Sequence, residues 1–424
     1  MKIVADVRET ALDYMVELID KKMSFNISAV KTDNDEDNAF VTMLILTALR
    51  KLVFVRQILK KLVAKKLDKQ KTIAKSALIL GTVELLYMKT PDYAVINSYV
   101  DLIKKKQDRY LAGFVNAVLR RIAREKEIFT AADSDEFFPQ NFRALLRKSY
   151  SVKDVSAIEK TALLQPNLDI TCKNEKIKEK LGGTVLPLGT VRLAFRGKIN
   201  KIEGYESGDW WVQDFSSALA VKMLGDIKDK KVLELCAAPG GKTAQLIAKG
   251  AKVDCLDVSQ ERLEVLKNNM SRLKMKPEKI ICEDGIKFLN ETDEKYDVVV
   301  LDAPCSATGT LRRHPEVVHF KTQEDVDKQA ALQRKFLEKI ENVLNENGIL
   351  IYCTCSLCKQ EGENQINEFI RKNNKYKIVN LDVKIPTELK KAVTKEGFVR
   401  ILPQYMEKYG GADGFFIACL KRVV

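Results

Sequence analysis

Apolar residues recur at helical spacing from the N-terminus to about residue 128. Ala11, Leu12, Met15, Leu18 and Ile19 share one face, and the same period predicts helices near 39–64, 73–88, 93–106 and 111–125. Turn material separates them, as at Asp33-Asn34-Asp35 and Thr90-Pro91-Asp92, so a helical bundle is expected. Residues 129–225 are mixed, with helices predicted near 140–148 and 153–164, short strands such as Val191-Arg-Leu-Ala-Phe195, and turns at Gly182-Gly183, Pro187 and Gly189. From about 226 strands and helices alternate, the signature of a parallel sheet covered on both faces. The strands fall at 231–236, 252–257, 279–282, 297–302 and 348–354, the helices at 242–249, 260–274, 324–346 and 361–373, and two tail strands at 397–402 and 414–420. The expected fold is multidomain: an all-α bundle over 1–128, a small α+β middle domain over 129–225 and an α/β Rossmann-like domain over 226–424.

A length of 424 residues agrees with more than one core. The balance of 72 Lys and Arg against 58 Asp and Glu, a net charge of +14, points to a polyanionic partner, most simply nucleic acid. Ten basic residues and one acidic residue, Asp68, lie between Arg50 and Lys75, which makes one side of the bundle either a solvated positive face or an RNA-contacting one. The nine cysteines are an odd number in largely apolar contexts, which fits reduced thiols. Cys353, Cys355 and Cys358 crowd together, but no second pair has zinc-ribbon spacing and the only histidines, His314 and His319, lie elsewhere, so no metal is expected. The start Met1 to Glu9 lacks a signal-peptide apolar core, and no apolar run approaches the roughly 20 residues of a membrane span. A cytoplasmic protein with no membrane partner is the expectation.

The first strand of the α/β domain runs into Cys236-Ala237-Ala238-Pro239-Gly240-Gly241-Lys242-Thr243, a glycine-bearing turn that opens a helix and suits a ligand approaching the backbone. Gly241-Lys242-Thr243 imitates a P-loop, yet the required first glycine would be residue 236, which is Cys. The alternative is a nucleoside cofactor with an acid at the end of the second strand on its ribose, and Asp257 stands there. Asp284 after the third strand is suited to an adenine amino group. With Asp302, these acids favour S-adenosylmethionine over ATP, and the absence of G-x-G-x-x-G spacing disfavours NAD.

The fourth strand, Asp297-Val-Val-Val-Leu-Asp302, ends in Ala-Pro304-Cys305-Ser306, and the fifth ends in Cys353-Thr354-Cys355-Ser356, so both thiols are expected in the crevice beyond the carboxyl ends of the strands. A thiol has a pKa of about 8.5, and lowering it takes nearby positive charge, for which Lys242, Arg312 and Arg313 are the candidates. Each cysteine alone also reads as a small buried apolar residue. Methylating carbon 5 of a pyrimidine requires a nucleophile that adds to carbon 6 and a base that removes the carbon-5 proton, and two thiols can divide those tasks.

Ile96-Asn97-Ser-Tyr-Val-Asp-Leu-Ile103 and Phe114-Val115-Asn116-Ala117-Val118-Leu119-Arg120-Arg121 resemble the NusB family of RNA-binding helical domains. The 236–243 turn, Asp302-Ala-Pro-Cys305-Ser-Ala-Thr-Gly309 with Arg312-Arg313-His314-Pro315, Thr354-Cys355-Ser356 and Gly411-Ala-Asp413-Gly414-Phe415-Phe416 resemble the RsmB (Sun) family, which are 16S ribosomal RNA cytosine-5 methyltransferases with a NusB-like N-terminal domain. The resemblance implies a class I methyltransferase domain, S-adenosylmethionine, Cys355 as nucleophile, Cys305 as the base for release and Asp302 as a partner of the cytosine ring. It also implies cofactor contacts from Cys236, Ala237, Ala238, Pro239, Gly240, Gly241, Lys242, Asp257, Arg262, Asp284 and Asp302. The implied partner is unassembled or partly assembled small-subunit rRNA, met by a monomer at a single-stranded or flipped-out base, with Arg312 and Arg313 either on its phosphates or in a solvated loop. A cytosine-5 enzyme acting on tRNA, a P-loop-like NTPase and a non-catalytic NusB-type RNA-binding factor are the competing readings. The chain departs from the family pattern at Leu168-Asp169-Ile170-Thr171 and at His319, which replaces an expected tryptophan.

Overall fold

The computed structural model describes residues 7–21, 30, 32, 34–63, 71–106, 109–195, 197–379 and 386–423. Lys65, Lys66 and Lys69 of the basic run lie outside the described residues. The chain forms two compact units, one of Met1–Arg143 with His314–Phe320 and one of Ala144–Arg313 with Lys321–Val424.

The first unit is the expected bundle, built from α1 (Val7–Lys21), α2 (Asp35–Leu62), α3 (Thr72–Tyr87), α4 (Asp92–Lys105), α5 (Ala112–Arg124) and α6 (Lys126–Ala131). The Asn34 side chain accepts from Asp37 N at 2.9 Å, and three acidic residues follow in the first turn of α2, so cap and dipole fix its start. By length and composition α2 is the described helix that could cross a bilayer, but its Val41, Leu44, Ile45, Ala48 and Leu52 are buried in the core of this unit. At Gly81 a Cβ would come within 2.9 Å of Leu119, so the glycine lets α3 and α5 approach closely. Arg8 and Tyr99 both donate to the fully buried Glu84 carboxylate. Along the expected basic face Arg56, Lys60 and Lys61 are exposed, whereas Lys51 pairs with Asp133 at 2.8 Å. His319 sits in this unit in place of the expected tryptophan. Burial lowers its pKa to about 4, and the neutral ring donates from Nε2 to Leu49 O at 2.7 Å.

The division falls within α7 (Gln140–Arg147), after Arg143, and the second unit continues with α8 (Val152–Ala162). There follow β1 (Leu168–Cys172), α9 (Glu175–Leu181), β2 (Thr184–Val185), β3 (Val191–Leu193), β4 (Trp210–Val212) and α10 (Phe215–Lys222). The four strands pair antiparallel in the order β2-β3-β1-β4. Asp169, one of the departures noted above, faces Arg192 across this ladder. Its carboxylate accepts from Arg192 Nε and Nη2 at 2.6 and 2.7 Å and from Phe215 N at 3.0 Å, a buried pair with its hydrogen bonds filled.

The larger sheet contains β5 (Lys231–Leu235), then α11 (Gly241–Ala248), β6 (Lys252–Asp257), α12 (Gln260–Arg272), β7 (Lys279–Cys282), α13 (Gly285–Glu291) and β8 (Tyr296–Asp302). It continues through α14 (Gln323–Lys339), β9 (Leu344–Thr354), α15 (Glu363–Lys372), β10 (Tyr376–Ile378), β11 (Val399–Ile401) and β12 (Phe415–Arg422). Its order is β10-β12-β9-β8-β5-β6-β7, with β11 also paired to β12, and the run β9-β8-β5-β6-β7 is parallel. Val232, Val253, Val298 and Ile351 pack on one face of the sheet while Leu233, Leu235, Val299 and Leu301 pack on the other, which is why these strands read as continuous apolar runs. All five parallel strands end at one edge, and the order reverses between β5 and β8.

The helix expected over 324–346 stops at Lys339. Ile340 and Val343 keep the apolar period, but Leu344 already pairs with Tyr296, and Asn347 at φ 61° with Gly348 bends the chain into the register that carries Cys353 beside Asp302. The expected helix 361–373 begins instead at Glu363, leaving Glu361 in a 3₁₀ turn.

Candidate active site

The turn after β5 closes on itself. Cys236 takes φ 59° and Gly240 φ 99°, and Gly240 N donates to Ala237 O at 2.9 Å. Asp257 ends β6 directly beside it: its carboxylate accepts from Ala238 N at 3.2 Å and Ser259 N at 3.1 Å and pairs with Arg262 at 3.2 Å, while Arg262 also donates to Ala238 O. Cys236, Ala237, Ala238, Gly240, Asp257 and Arg262 therefore form one connected rim, and Pro239 is its exposed tip. Asp284 lies past β7 as the exposed N-cap of α13, accepting from Lys287 N at 2.9 Å. Under the turn, Thr243 donates to Glu234 at 2.6 Å, and burial pushes that carboxyl up to about 8.

Gly241 and Lys242 begin α11, which carries the Lys242 ammonium inward to the end of β8. Lys242 Nζ is 2.6 Å from Asp302 Oδ2 and 3.0 Å from Ser217 Oγ, with the Phe415 ring 5.5 Å away. Burial opposes the charge on Lys242, but the Asp302 carboxylate offsets this and holds its pKa above the usual lysine value. Cys353 lies 3.5 Å from the other Asp302 oxygen. Beyond the strand ends, the Cys305 and Cys355 sulfurs are 3.3 Å apart, both partly accessible. Gly309 makes this approach possible: its N donates to Cys355 O at 2.8 Å, its O accepts from Gly414 N at 2.9 Å, and a Cβ there would fall 2.0 Å from Gly414 O. The loop after β8, the end of β9 and the start of β12 thus meet at one glycine.

Three expectations need correction. Lys242 and Arg312 do not bring free positive charge to the thiols, because each is paired with a carboxylate, whereas Arg313, although paired with Asp413, does interact electrostatically with Cys355. Arg312 is neither a phosphate clamp nor solvated: it is buried, with Nη2 3.5 Å from Asp214 and 3.4 Å from Asp413 and Nη1 donating to Gly410 O at 2.9 Å. Arg313 is half-exposed yet pairs with the same Asp413. Asp214, buried beside Asp413 and Asp169, is pushed up to about 6. Accordingly the Cys305 pKa is raised well above the ordinary thiol value, by its hydrogen bond with Cys355, by burial and by the Cys355 charge.

The sequence also hid several residues. Ser217, Glu361, Asp413 and Arg400 order the site from positions with no motif of their own except Asp413, which stands in Gly411-Ala-Asp413-Gly414. Among the described residues no group of three His, Cys, Asp or Glu side chains converges as a metal would need.

The family model described as 16S rRNA methyltransferase RsmB/F matches residues 221–421, and the NusB family model matches residues 5–124. The ribosomal RNA small subunit methyltransferase B of Pasteurella multocida is 28% identical over 447 residues, covering 100% of this chain and 97% of that protein. The chain thus carries an RsmB/F-type methyltransferase domain and a NusB-type domain. Among solved structures, PH0851 superposes with a TM-score of 0.77 at 20% identity over 97% of this chain and 98% of that one. NSun6 from Pyrococcus horikoshii gives 0.58 at 20% identity over 68% and 99%.

With this methyltransferase domain the chain is an enzyme, and its cofactor is S-adenosylmethionine. The residues at the carboxyl edge fit that molecule chemically. They offer close backbone at a glycine turn and carboxylates at the ends of β6, β7 and β8, and the buried Lys242 ammonium beside them is already neutralised by Asp302 and so does not repel a sulfonium.

Proposed function

We propose that this enzyme methylates carbon 5 of a cytosine in small-subunit rRNA, in the cytoplasm, through a covalent Cys355 adduct resolved by Cys305. The observation that carries this reading is the 3.3 Å separation of two thiols from different strand ends, next to Asp302. Cys355 adds as the thiolate to carbon 6, and the displaced C5–C6 π pair makes carbon 5 nucleophilic and N3 basic. N3 takes a proton from water, the Asp302 carboxylate accepts a hydrogen bond from that N3–H, and N3 gives the proton back to water when the adduct opens. S-adenosylmethionine supplies the methyl group that carbon 5 takes. Cys305 then accepts the carbon-5 proton, the C5–H pair restores the ring double bond, and the C6–Sγ bond breaks to return the Cys355 thiolate.

The electrostatics support this division. Two of the causes that raise the Cys305 pKa come from Cys355 itself, its hydrogen bond and its charge. Both disappear once Cys355 is a thioether, so Cys305 becomes easier to ionise at the stage where a base is needed. In the cofactor site, the 236–242 turn with Asp257 and Arg262 takes the ribose and methionine ends, and Asp284 takes the adenine amino group. The NusB-like bundle, with exposed Arg56, Lys60 and Lys61, supplies RNA affinity.

Incubation with labelled S-adenosylmethionine and either unmodified small-subunit rRNA or tRNA, followed by bisulfite sequencing, tests the assignment. A new 5-methylcytosine at one rRNA position is expected. Methylation of tRNA alone would reassign the substrate, and a methyl group on any atom other than carbon 5 would remove the mechanism.

A further inference from the structure

Two loops that begin on different strands hold Cys305 and Cys355, and Glu361 binds both from behind. Its carboxylate is fully buried and accepts from Ser306 N at 2.8 Å, from the Ser306 and Ser356 hydroxyls, and from Gln333 Nε2 at 3.1 Å. Its backbone carbonyl accepts from Tyr352 OH at 2.8 Å and Thr354 Oγ1 at 3.3 Å, on the strand that ends at Cys355. Ser306 follows Cys305 directly, and Ser356 follows Cys355. We propose that Glu361 is a positioning residue that fixes the separation of the two thiols, by holding the residue after each cysteine on one carboxylate.

The strand ladder between β8 and β9 ends at Asp302 and Cys353, and beyond it the two loops meet directly through Gly309 N to Cys355 O at 2.8 Å and the Ser306, Thr308 and Ser356 hydroxyls at 3.1–3.3 Å. Those hydroxyls are weakly directed on their own, and Glu361 anchors the Ser306 and Ser356 ends of both loops on one carboxylate from a third place, the 3₁₀ turn before α15. Buried carboxylates require their lone pairs filled, and here four donors fill them, three of which come from the site's own two loops. The turn is itself tied down: Arg400, buried, pairs with Glu363 at 3.0 Å and donates to Ser356 O, so two neighbouring acids act on one serine. Gln333 also donates to Pro304 O at 2.8 Å, extending the brace to the residue before Cys305.

This deepens the two-thiol reading and rests on it for its catalytic meaning, but the geometric claim can be read without RNA. Full-length wild type, Glu361→Ala, Glu361→Gln and Ser356→Ala are each treated with the thiol oxidant diamide, and the rate of Cys305–Cys355 disulfide formation is followed by peptide mass spectrometry. S-adenosylmethionine affinity by calorimetry and kcat and KM for RNA methylation are measured on the same proteins. Glu361→Ala should slow cross-linking and lower kcat by about 10- to 100-fold with cofactor affinity unchanged, as expected for misplaced reacting groups. Glu361→Gln, which keeps the reach and an acceptor oxygen, should recover most of both. Ser356→Ala, which removes one tether only, should fall between and keeps the test open if Glu361→Ala does not fold. Wild-type cross-linking and kcat in Glu361→Ala, or in Ser356→Ala where the alanine variant is lost, overturn the proposal. Slow cross-linking in Glu361→Ala, together with a wild type that makes no 5-methylcytosine, supports the brace and overturns the cytosine reading.

Discussion

Lys242 Nζ lies 2.6 Å from Asp302 Oδ2, so the helix that follows the glycine turn after β5 is tied electrostatically to the strand that leads to Cys305. Lys242 is buried and Asp302 is about one-third exposed, which makes the two ends of this pair unequal. Replacing Asp302 by Asn strands a buried ammonium and should destabilise the fold by about 3 kcal/mol, the lower end of the range for a broken buried pair because water reaches Asp302. Lys242→Met removes the buried charge itself and should cost less. In a double-mutant cycle by urea denaturation, the Asp302→Asn, Lys242→Met double variant should be more stable than Asp302→Asn alone. Additive losses would show that the pair carries no coupling.

Glu234 gives a pH signature. Its folded pKa is raised to about 8, from an ordinary carboxylate value of 4.5, so between those limits the folded state holds a proton that the unfolded state has lost. Stability contributed by the neutral carboxyl is therefore full at acid pH and declines as pH rises toward 8, by up to about 1.4 kcal/mol per unit. Glu234→Gln removes the titration. Its stability relative to wild type should improve steadily between pH 5 and pH 8 in denaturant melts, and a constant difference would place the Glu234 proton elsewhere.

Gly309→Ala should fold and still bind S-adenosylmethionine, since the 236–243 turn proposed to hold it is remote in sequence from the loop the substitution perturbs. Its Cβ would lie 2.0 Å from Gly414 O and 2.8 Å from Cys355 O, so one of the two thiol-bearing segments must shift. A displacement near 1 Å costs about 10²-fold in turnover. Single-turnover methylation within a few-fold of wild type would mean that the contact is dispensable.

RNA affinity should fall by at least about tenfold between about 50 and about 200 mM salt, as the neutralisation of roughly three phosphates requires. Lys60→Glu should flatten that slope without altering cofactor binding. A salt-independent affinity would contradict an electrostatic contribution from the bundle.

The parallel sheet was legible because β5, β6 and β8 are apolar on both faces, and a run such as Val298 to Leu301 has few other uses in a folded chain. The two thiols were legible because each stands just past a strand end. Their surroundings were not. Arg312 beside Cys305 reads as a surface charge until Asp214 and Asp413, each about a hundred residues away, come against it. Lys242 likewise gave no sign that its partner was Asp302. Glu361 looked like an ordinary acid in the first turn of a helix, because the 3₁₀ turn that points it at Ser306 and Ser356 differs from a helix start by two residues. Local pattern carries periodicity and strand ends, whereas charge pairing is set by topology.

The central claim is that Cys355 bonds to the base and Cys305 frees it. Wild type, Cys305→Ala, Cys355→Ala and the double variant, each incubated with S-adenosylmethionine and unmodified small-subunit rRNA, are resolved on a denaturing gel. An RNA-linked protein band should accumulate in Cys305→Ala, be absent from Cys355→Ala and vanish in the double variant. In wild type, the trace of adduct should shrink as pH rises and Cys305 ionises. A band in Cys355→Ala, or full methylation by that variant without any band, would contradict the account.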